Sequence, residues 1–486
     1  MAEVVWRPDE ETLERANVVR LMRRYGVETY RELVARSIAD PEWFWPAVVE
    51  DLGLEFSEPW RQVVDSSRGP EWATWFVGGK LNVAWNCVHR HRGEQTAAVF
   101  RGEDGTRREL MYAELSDAVT RLAERLVQLG IEPGDRVAIY LPMSPEAAIA
   151  SHACAHVGAV QMPVFSGFAA PAVAQRLVDS DAKVAITAET SSRRGRPMPM
   201  LAILEEARRE APALEHVVVA PWEEEVAGLP GTLAPLPVDS EHPYLLTYTS
   251  GTTGKPKGVL HVQGGFLVSI AREAAYLADV HAGDVVHFAT DMGWIMGPWT
   301  VVGCGALGAA IVFAEGAPDW PSDRLWRLIE EEQVSMLGCS PTLIRALIPH
   351  GDPALDPSSL RTIVTTGEPW NPDPYRWLFD RVGGGRCPIV NISGGTEVGA
   401  VFLSCSVAEP IKECSLGGPA PGMAMDVVDA NGRSLVRTGE VGELVCRQPF
   451  PGMTRGFWRD PERYLETYWR RFPGVWTHGD WASVDS

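Results

Sequence analysis

The sequence is short of positive charge, of paired cysteines and of long charge-free runs, and each shortage removes a class of function. Lys and Arg number 44 against 64 Asp and Glu, a formal charge of −20. A field of that sign opposes non-specific nucleic-acid binding and docking on anionic membranes. A site for a phosphorylated ligand must therefore be built locally. The eight cysteines, Cys87, Cys154, Cys304, Cys339, Cys387, Cys405, Cys414 and Cys446, include no C-x-x-C pair. Scattered single thiols in an intracellular chain read as buried side chains rather than a disulfide frame. Met1 to Glu10 carries early charges and no apolar run, so no secretory leader is expected. There is no internal repeat and no low-complexity tract. One charge-free stretch, Met292 to Ala314, is long enough to span a bilayer. It is interrupted by Gly293, Gly297, Pro298, Gly303, Gly305 and Gly308 and has no cationic flank, which suits a buried core. The expectation is a cytoplasmic protein without stable membrane insertion.

What is present is the material of a large α/β body. The 486 residues, 45% of them hydrophobic, suffice for two to four domains or one body with subdomains, and need no disulfide staple. Residues 1–79 are rich in charge and tryptophan (Trp43, Trp45, Trp60, Trp72, Trp75) and read as a helical extension with an irregular tail, packed on something larger. Residues 80–424 alternate helix and strand. Leu110 to Leu129 has helical spacing, Arg136 to Leu141 is a short buried strand, Pro145 to Val157 is helix and Ala159 to Phe165 strand. Ala172 to Ser180 and Val184 to Thr187 repeat the pair, a pattern of parallel sheet covered by helices. From Met425 the signals shorten to Val427-Val428, Gly442 to Cys446 and Val475 to Thr477, which predicts a small β-rich subdomain over 425–486.

The chemistry concentrates in Tyr248-Thr-Ser-Gly-Thr-Thr-Gly-Lys-Pro-Lys-Gly258. The strand Pro243 to Tyr248 runs into a loop of glycines, hydroxyls and two lysines. Glycines let successive N–H groups turn toward one anion, hydroxyls add donors, and Lys255 and Lys257 add cationic charge. This composition suits a triphosphate. It is not a Walker A loop, because Pro256 follows Gly254-Lys255 and Thr249 stands where that pattern needs its first glycine. A short Gly/Ser/Thr run is usually only a surface turn; an ordered string of eleven residues is not.

That string resembles the phosphate-loop signature of the adenylate-forming superfamily, and other segments extend the likeness. Asp291-Met-Gly-Trp294 resembles its aromatic motif beside the acyl pocket, Gly367-Glu368-Pro369 its adenine wall, and Gly395-Thr396-Glu397 its Q-T-E motif. Thr477-His-Gly-Asp480 resembles the ribose-binding motif. Leu81 to Cys87 and Val164-Phe-Ser-Gly-Phe168 resemble the acetyl-CoA synthetase branch in particular. The resemblance implies a large domain of two mixed sheets covered by helices, and an acid–thiol ligase using ATP, Mg²⁺ and coenzyme A. A carboxylate attacks the α-phosphate to give acyl-AMP and pyrophosphate; the coenzyme A thiol then displaces AMP. Joining two anions calls for positive charge and a metal.

The same resemblance implies roles. Glu397 holds Mg²⁺, a hard ion suited to carboxylate and phosphate oxygens. Thr396 holds the α-phosphate. Thr249, Ser250, Gly251, Thr252, Thr253, Gly254, Lys255 and Lys257 hold the outer phosphates, with Lys257, Thr396 and Glu397 the catalytic group. Gly367, Glu368 and Pro369 line the adenine beside Ile392, Ser393, Gly394 and Gly395. Asn391, where the branch commonly has aspartate, accepts from the adenine amino group and donates to N7. Asp480 accepts from both ribose hydroxyls. Gly167, Arg193 and Arg196 meet coenzyme A, the arginines at its 3′-phosphate. Cys87 with His89 and His91 lacks a fourth metal ligand, and Ala153 stands where the H-E-x-x-H glutamate would separate His152 and His156. Both sets read as structural.

Two departures shape the expectation. Acetate-specific relatives close the acyl pocket with a tryptophan two places before the motif threonine, and here that place is Gly394. Trp294, Ile295, Met296, Thr366 and Gly394 are then expected to line a pocket for a medium-chain, branched or aryl acid. The family's mobile C-terminal domain is not among these residues, which end at Ser486, so slow turnover is expected of them alone. Two other readings stand beside acid–thiol ligation: an adenylating enzyme that loads a carrier-protein thiol, and a non-catalytic nucleotide-binding fragment. Expected partners are the small-molecule acid, ATP and coenzyme A, with no nucleic acid, and a homo-oligomer is left open.

Overall fold

The computed structural model describes residues 3–91, 93–249 and 256–485. Two large sheets carry the fold. The first has six strands in the order His216–Ala220, Val184–Ala188, Arg136–Tyr140, Val160–Pro163, Pro243–Thr249, Lys257–Val262, parallel except for the final antiparallel pair. The second has nine, ordered Gly418–Pro419, Ala400–Ser404, Ile389–Gly395, Thr362–Thr365, Met336–Cys339, Val285–Phe288, Ala310–Ala314, Thr96–Arg101, Arg107–Met111. Its centre is parallel and its margins antiparallel. The alternation read from 136–188 appears as expected, with helices Pro145–His156 and Ala170–Ser180 between the strands. The last region forms a three-stranded antiparallel sheet of Met425–Val428, Gly442–Cys446 and Trp476–Ala482.

The charge-free stretch from Met292 becomes helix Met296–Leu307 and strand Ala310–Ala314. This helix packs on Gln263–Tyr276, every residue of which is buried. Among the described residues no helix is long and apolar enough to cross a membrane. The Arg272 guanidinium in that buried helix is paired with Glu273 and lies over the Trp45 ring.

Two expectations need correction. The tail of the N-terminal extension is not irregular: Gln62–Asp65 pairs with Thr74–Val77 in an antiparallel hairpin. Leu110 and Met111 are not helical but end strand Arg107–Met111, with the helix starting at Tyr112. The hydrophobic core is continuous through all three proposed regions, from Trp45 and Trp75 through Phe266 to Trp476. The division at 79/80 and 424/425 is therefore our proposal about subdomains of one body. His89 and His156 form a buried polar contact, Nε2 to Nδ1 at 3.0 Å, with Ser116 on the other side of His89 at 2.8 Å.

Candidate active site

A cavity of about 710 Å³ opens at the carboxyl ends of the parallel strands of the nine-stranded sheet. That is where open α/β sheets place ligands, because each strand hands over to a loop there. Thr290 and Asp291 follow one strand, Thr366 and Gly367 a second, and Gly394, Gly395 and Thr396 come from the end of a third. All five residues expected at the acyl pocket, Trp294, Ile295, Met296, Thr366 and Gly394, line this cavity. Phe288, Phe313 and Cys339 also line it, deeper in the strands, and sequence reasoning did not find them.

The two motif segments on the acyl side are tied together. Asp291 is buried and its carboxylate accepts from Ser166 Oγ at 2.5 Å and from Gly293 N at 2.8 Å. Burial pushes its carboxyl up from the ordinary range. A side chain at Gly293 would stand 2.3 Å from the Phe165 backbone, so only glycine lets these strands of loop meet. The Trp294 ring then rests beside Phe165, centroids 5.8 Å apart, with 59% of the tryptophan exposed at the mouth.

On the nucleotide side Gly367 and Ile392 line the cavity with Gly395 and Thr396, whereas Glu368, Pro369, Asn391 and Ser393 do not. Glu368 accepts from Thr342 N at 2.7 Å and pairs with Arg345, and these contacts, the Thr342 hydrogen bond first, hold it below the usual carboxylate value. Asn391, expected beside the adenine, already has partners within the protein. It is 3% exposed, its Oδ1 accepts from Thr365 Oγ1 at 3.1 Å, and its Nδ2 donates to Ser415 O at 3.2 Å. Each of these atoms keeps one further hydrogen-bonding position, since an amide oxygen accepts two bonds and an amide nitrogen donates two. Asp480 is not among the lining residues; its side chain is 59% exposed and 3.7 Å from His478 Nε2.

Glu397 is buried just behind the cavity, and its Oε1 accepts from the Tyr468 hydroxyl at 2.5 Å. Lys257 faces the same place: its ammonium lies over the rings of Phe457 and Tyr468 at 5.3 and 5.4 Å. Burial pulls the Lys257 pKa down, partly offset by the Glu397 charge. Lys257 pairs with Thr249 across the two strands that flank the phosphate loop, and Thr249 Oγ1 is a buried hydroxyl without a partner among the described residues. Ser250, Gly251, Thr252, Thr253, Gly254 and Lys255 lie outside the described residues. His261 Nε2 donates to Thr396 O at 2.7 Å and fixes the backbone at that threonine.

No group of three or more His, Cys, Asp or Glu is arranged to hold a metal among the described residues. A lone carboxylate still fits Mg²⁺, which commonly takes one or two protein carboxylates and completes its shell with phosphate and water. Glu397 would supply such a carboxylate. Of the residues expected at coenzyme A, Arg193 lines the cavity, Arg196 is exposed opposite it on a hairpin, and Gly167 packs under the Phe165 ring away from the cavity wall.

A family profile described as AMP-binding enzyme matches residues 85–458, and one described as acetyl-coenzyme A synthetase N-terminus matches residues 30–87. The chain is 39% identical over 490 residues to an acetyl-coenzyme A synthetase of Rhodopirellula baltica, covering 94% of this chain and 72% of that protein. It is 38% identical over 485 residues to one from Syntrophus aciditrophicus, covering 94% and 74%. Its fold matches the solved acetoacetyl-CoA synthetase from Streptomyces lividans with a TM-score of 0.93 at 31% identity, over 99% of this chain and 78% of that one.

Proposed function

The chain belongs to the AMP-binding enzyme family, the adenylate-forming acyl-CoA synthetases, and we propose that it activates a carboxylic acid larger than acetate and passes it to coenzyme A. One observation carries this reading: Thr366, Gly394 and Thr396, from the ends of neighbouring strands, share a single cavity with Trp294, Ile295 and Met296. An acid seated among the apolar residues has its carboxylate at Thr396, beside Glu397 and Lys257.

In the first half-reaction a carboxylate oxygen attacks the α-phosphorus and pyrophosphate leaves. Thr396 donates its hydroxyl to an α-phosphate oxygen, and His261 keeps that threonine in place. Lys257 offers charge to the outer phosphates. Its partial burial strengthens the attraction, because fewer waters compete. Glu397 would hold Mg²⁺, which supplies further charge against the triphosphate when bound. Asp480 would receive the ribose hydroxyls, and Gly367 and Ile392 would flank the adenine. In the second half-reaction the thiol sulfur attacks the acyl carbonyl, a thioester forms, and AMP departs.

The size of the acid turns on Gly394. An indole at that position would fill the acyl side of the cavity, and glycine leaves it open. The relatives' names cover acetyl and acetoacetyl groups, so acid size is our inference from Gly394 alone. Arg193 on the cavity wall favours a phosphate-bearing thiol, coenzyme A, over a carrier-protein thiol. Hydroxylamine trapping tests both halves. Acyl-hydroxamate should form from acid and ATP without coenzyme A, and added coenzyme A should divert it to thioester. Hydroxamate that coenzyme A leaves untouched would point to another acceptor.

A further inference from the structure

The hairpin that carries Arg193 and Arg196 is weak when taken alone. Its strands, Ser191–Arg193 and Arg196–Met198, have three residues each. Arg193 lies directly across from Arg196, so like charges face each other at the turn. Two-stranded hairpins are marginal in water even without such repulsion. The turn residues Arg194 and Gly195 both have positive φ, 53° and 70°, the geometry of a primed two-residue turn.

Glu103, in the loop after strand Thr96–Arg101, supplies what the hairpin lacks. Its side chain is 4% exposed. Oε1 accepts from Arg194 N at 2.8 Å and from Ala317 N at 2.8 Å; Oε2 accepts from Gly195 N at 2.9 Å and from Ser192 Oγ at 3.0 Å. The capacity of a carboxylate is about four such bonds, and here it is filled. Burial opposes the charge, yet the hydrogen bonds outweigh it and hold the carboxyl below its ordinary value. Glu315 reinforces the strand by accepting from Ser192 N at 2.9 Å. Arg194 is tied back to Asp319 at 2.5 Å. Arg193 feels the charge of Asp291 across the cavity, and neither Arg193 nor Arg196 closes an ion pair among the described residues, so both are cations open to a ligand.

We propose that Glu103 is the positioning residue of the coenzyme A 3′-phosphate site. It grips the turn amides from beneath, so that Arg193 and Arg196 are presented together against their mutual repulsion. The proposal rests on the reading of these two arginines as phosphate contacts. Glu103 itself touches no substrate.

The test is steady-state kinetics on the intact enzyme with coenzyme A and with dephospho-coenzyme A, which lacks the 3′-phosphate. In Glu103→Gln an amide NH₂ faces two of the four donors. KM for coenzyme A should rise about tenfold, the loss expected when charged hydrogen bonds no longer fix the turn. KM for dephospho-coenzyme A, KM for ATP and kcat should stay within about twofold. Gly195→Ala disturbs the same turn without touching the carboxylate, and covers the case in which Glu103→Gln does not fold; it should show the same selective rise. Arg193→Ala separates the two layers of the argument. If it raises KM for coenzyme A while neither turn variant does, the positioning role is overturned and the phosphate reading stands. If Arg193→Ala changes nothing, the phosphate reading falls and this proposal with it. An equal rise for both thiols in the turn variants would also overturn it, because the effect would not pass through the 3′-phosphate.

Discussion

Tyr468 donates a 2.5 Å hydrogen bond from its hydroxyl to Glu397 Oε1. The Tyr468 ring is stacked on Trp476, centroids 4.0 Å apart and planes 12° from parallel, so the hydroxyl has little freedom to leave. The same ring lies under the Lys257 ammonium. One tyrosine thus orients the carboxylate assigned to the metal and borders the lysine assigned to the phosphates.

Tyr468→Phe should keep the stack and lose the bond. Glu397 is then free to turn, and ATP binding measured with Mg²⁺ should weaken about ten- to hundredfold, in line with about 1.5–3 kcal/mol for a hydrogen bond to a charged group. Calorimetric titration at several Mg²⁺ concentrations checks this. ATP binding unchanged at every concentration would remove Tyr468 from the account.

Gly394→Trp should shift the preferred acid toward acetate. A filled hydrophobic pocket discriminates by about ten- to hundredfold. Competition between acids of rising size in the hydroxamate assay reads this ratio. Selectivity identical to the parent would show that position 394 does not bound the acyl pocket.

Gly338→Ala addresses the cavity wall from behind. A Cβ at Gly338 would stand 2.1 Å from the Phe288 ring, which leans over that glycine and packs edge-on against Trp299, centroids 5.9 Å apart. The ring must move, into the cavity or against Trp299. Overpacking of this kind costs about 1–3 kcal/mol. Urea denaturation should show that loss, and the acid preference should narrow as well. A variant as stable as the parent would mean that the wall yields freely.

Acid should destabilise the fold in a defined window. Burial holds His152, His156, His261 and His287 down to about 4 from an ordinary 6.5. Between those values the unfolded chain binds protons that the folded chain refuses, so stability falls as pH drops from 6.5 toward 4. Each group contributes roughly 1.4 kcal/mol per pH unit at full difference. Carboxylates with lowered values, such as Glu103 and Glu368, add to the loss only from about 4.5 downward, below the pH values probed here. Denaturation midpoints at pH 7, 6 and 5 should fall stepwise; a flat profile would contradict neutral burial of these imidazoles.

The parts of the site legible in the sequence are those whose chemistry is contiguous. Asp291 to Trp294, Gly367 and Gly395 to Glu397 are each a strand end running into a loop, and short periodic strands followed by glycine announce both. Tyr468 and Glu103 were not legible, because each acts on a partner far along the chain: Tyr468 on Glu397, and Glu103 on Arg194 and Gly195. Nothing local distinguishes a tyrosine in Pro461–Tyr468 or a glutamate in a Gly-Glu-Asp-Gly turn from a surface residue. Asn391 shows a different limit: its motif suggests a ligand contact but not the strand pairing that also bonds it to Thr365. Strand Arg107–Met111 has no clear signal in the sequence, because its charged residues suit an exposed edge and give no apolar run. It exists because Thr96–Arg101 offers it a register.

The central claim is an adenylation site with an enlarged acyl pocket. Titration of the purified protein with non-hydrolysable acyl-sulfamoyl adenosines carrying acetyl, butyryl and benzoyl groups tests it most directly. The account predicts one site per chain, competition by ATP, and tighter binding of the butyryl or benzoyl compound than of the acetyl compound. No binding of any of the three, or tightest binding of the acetyl compound, would contradict it.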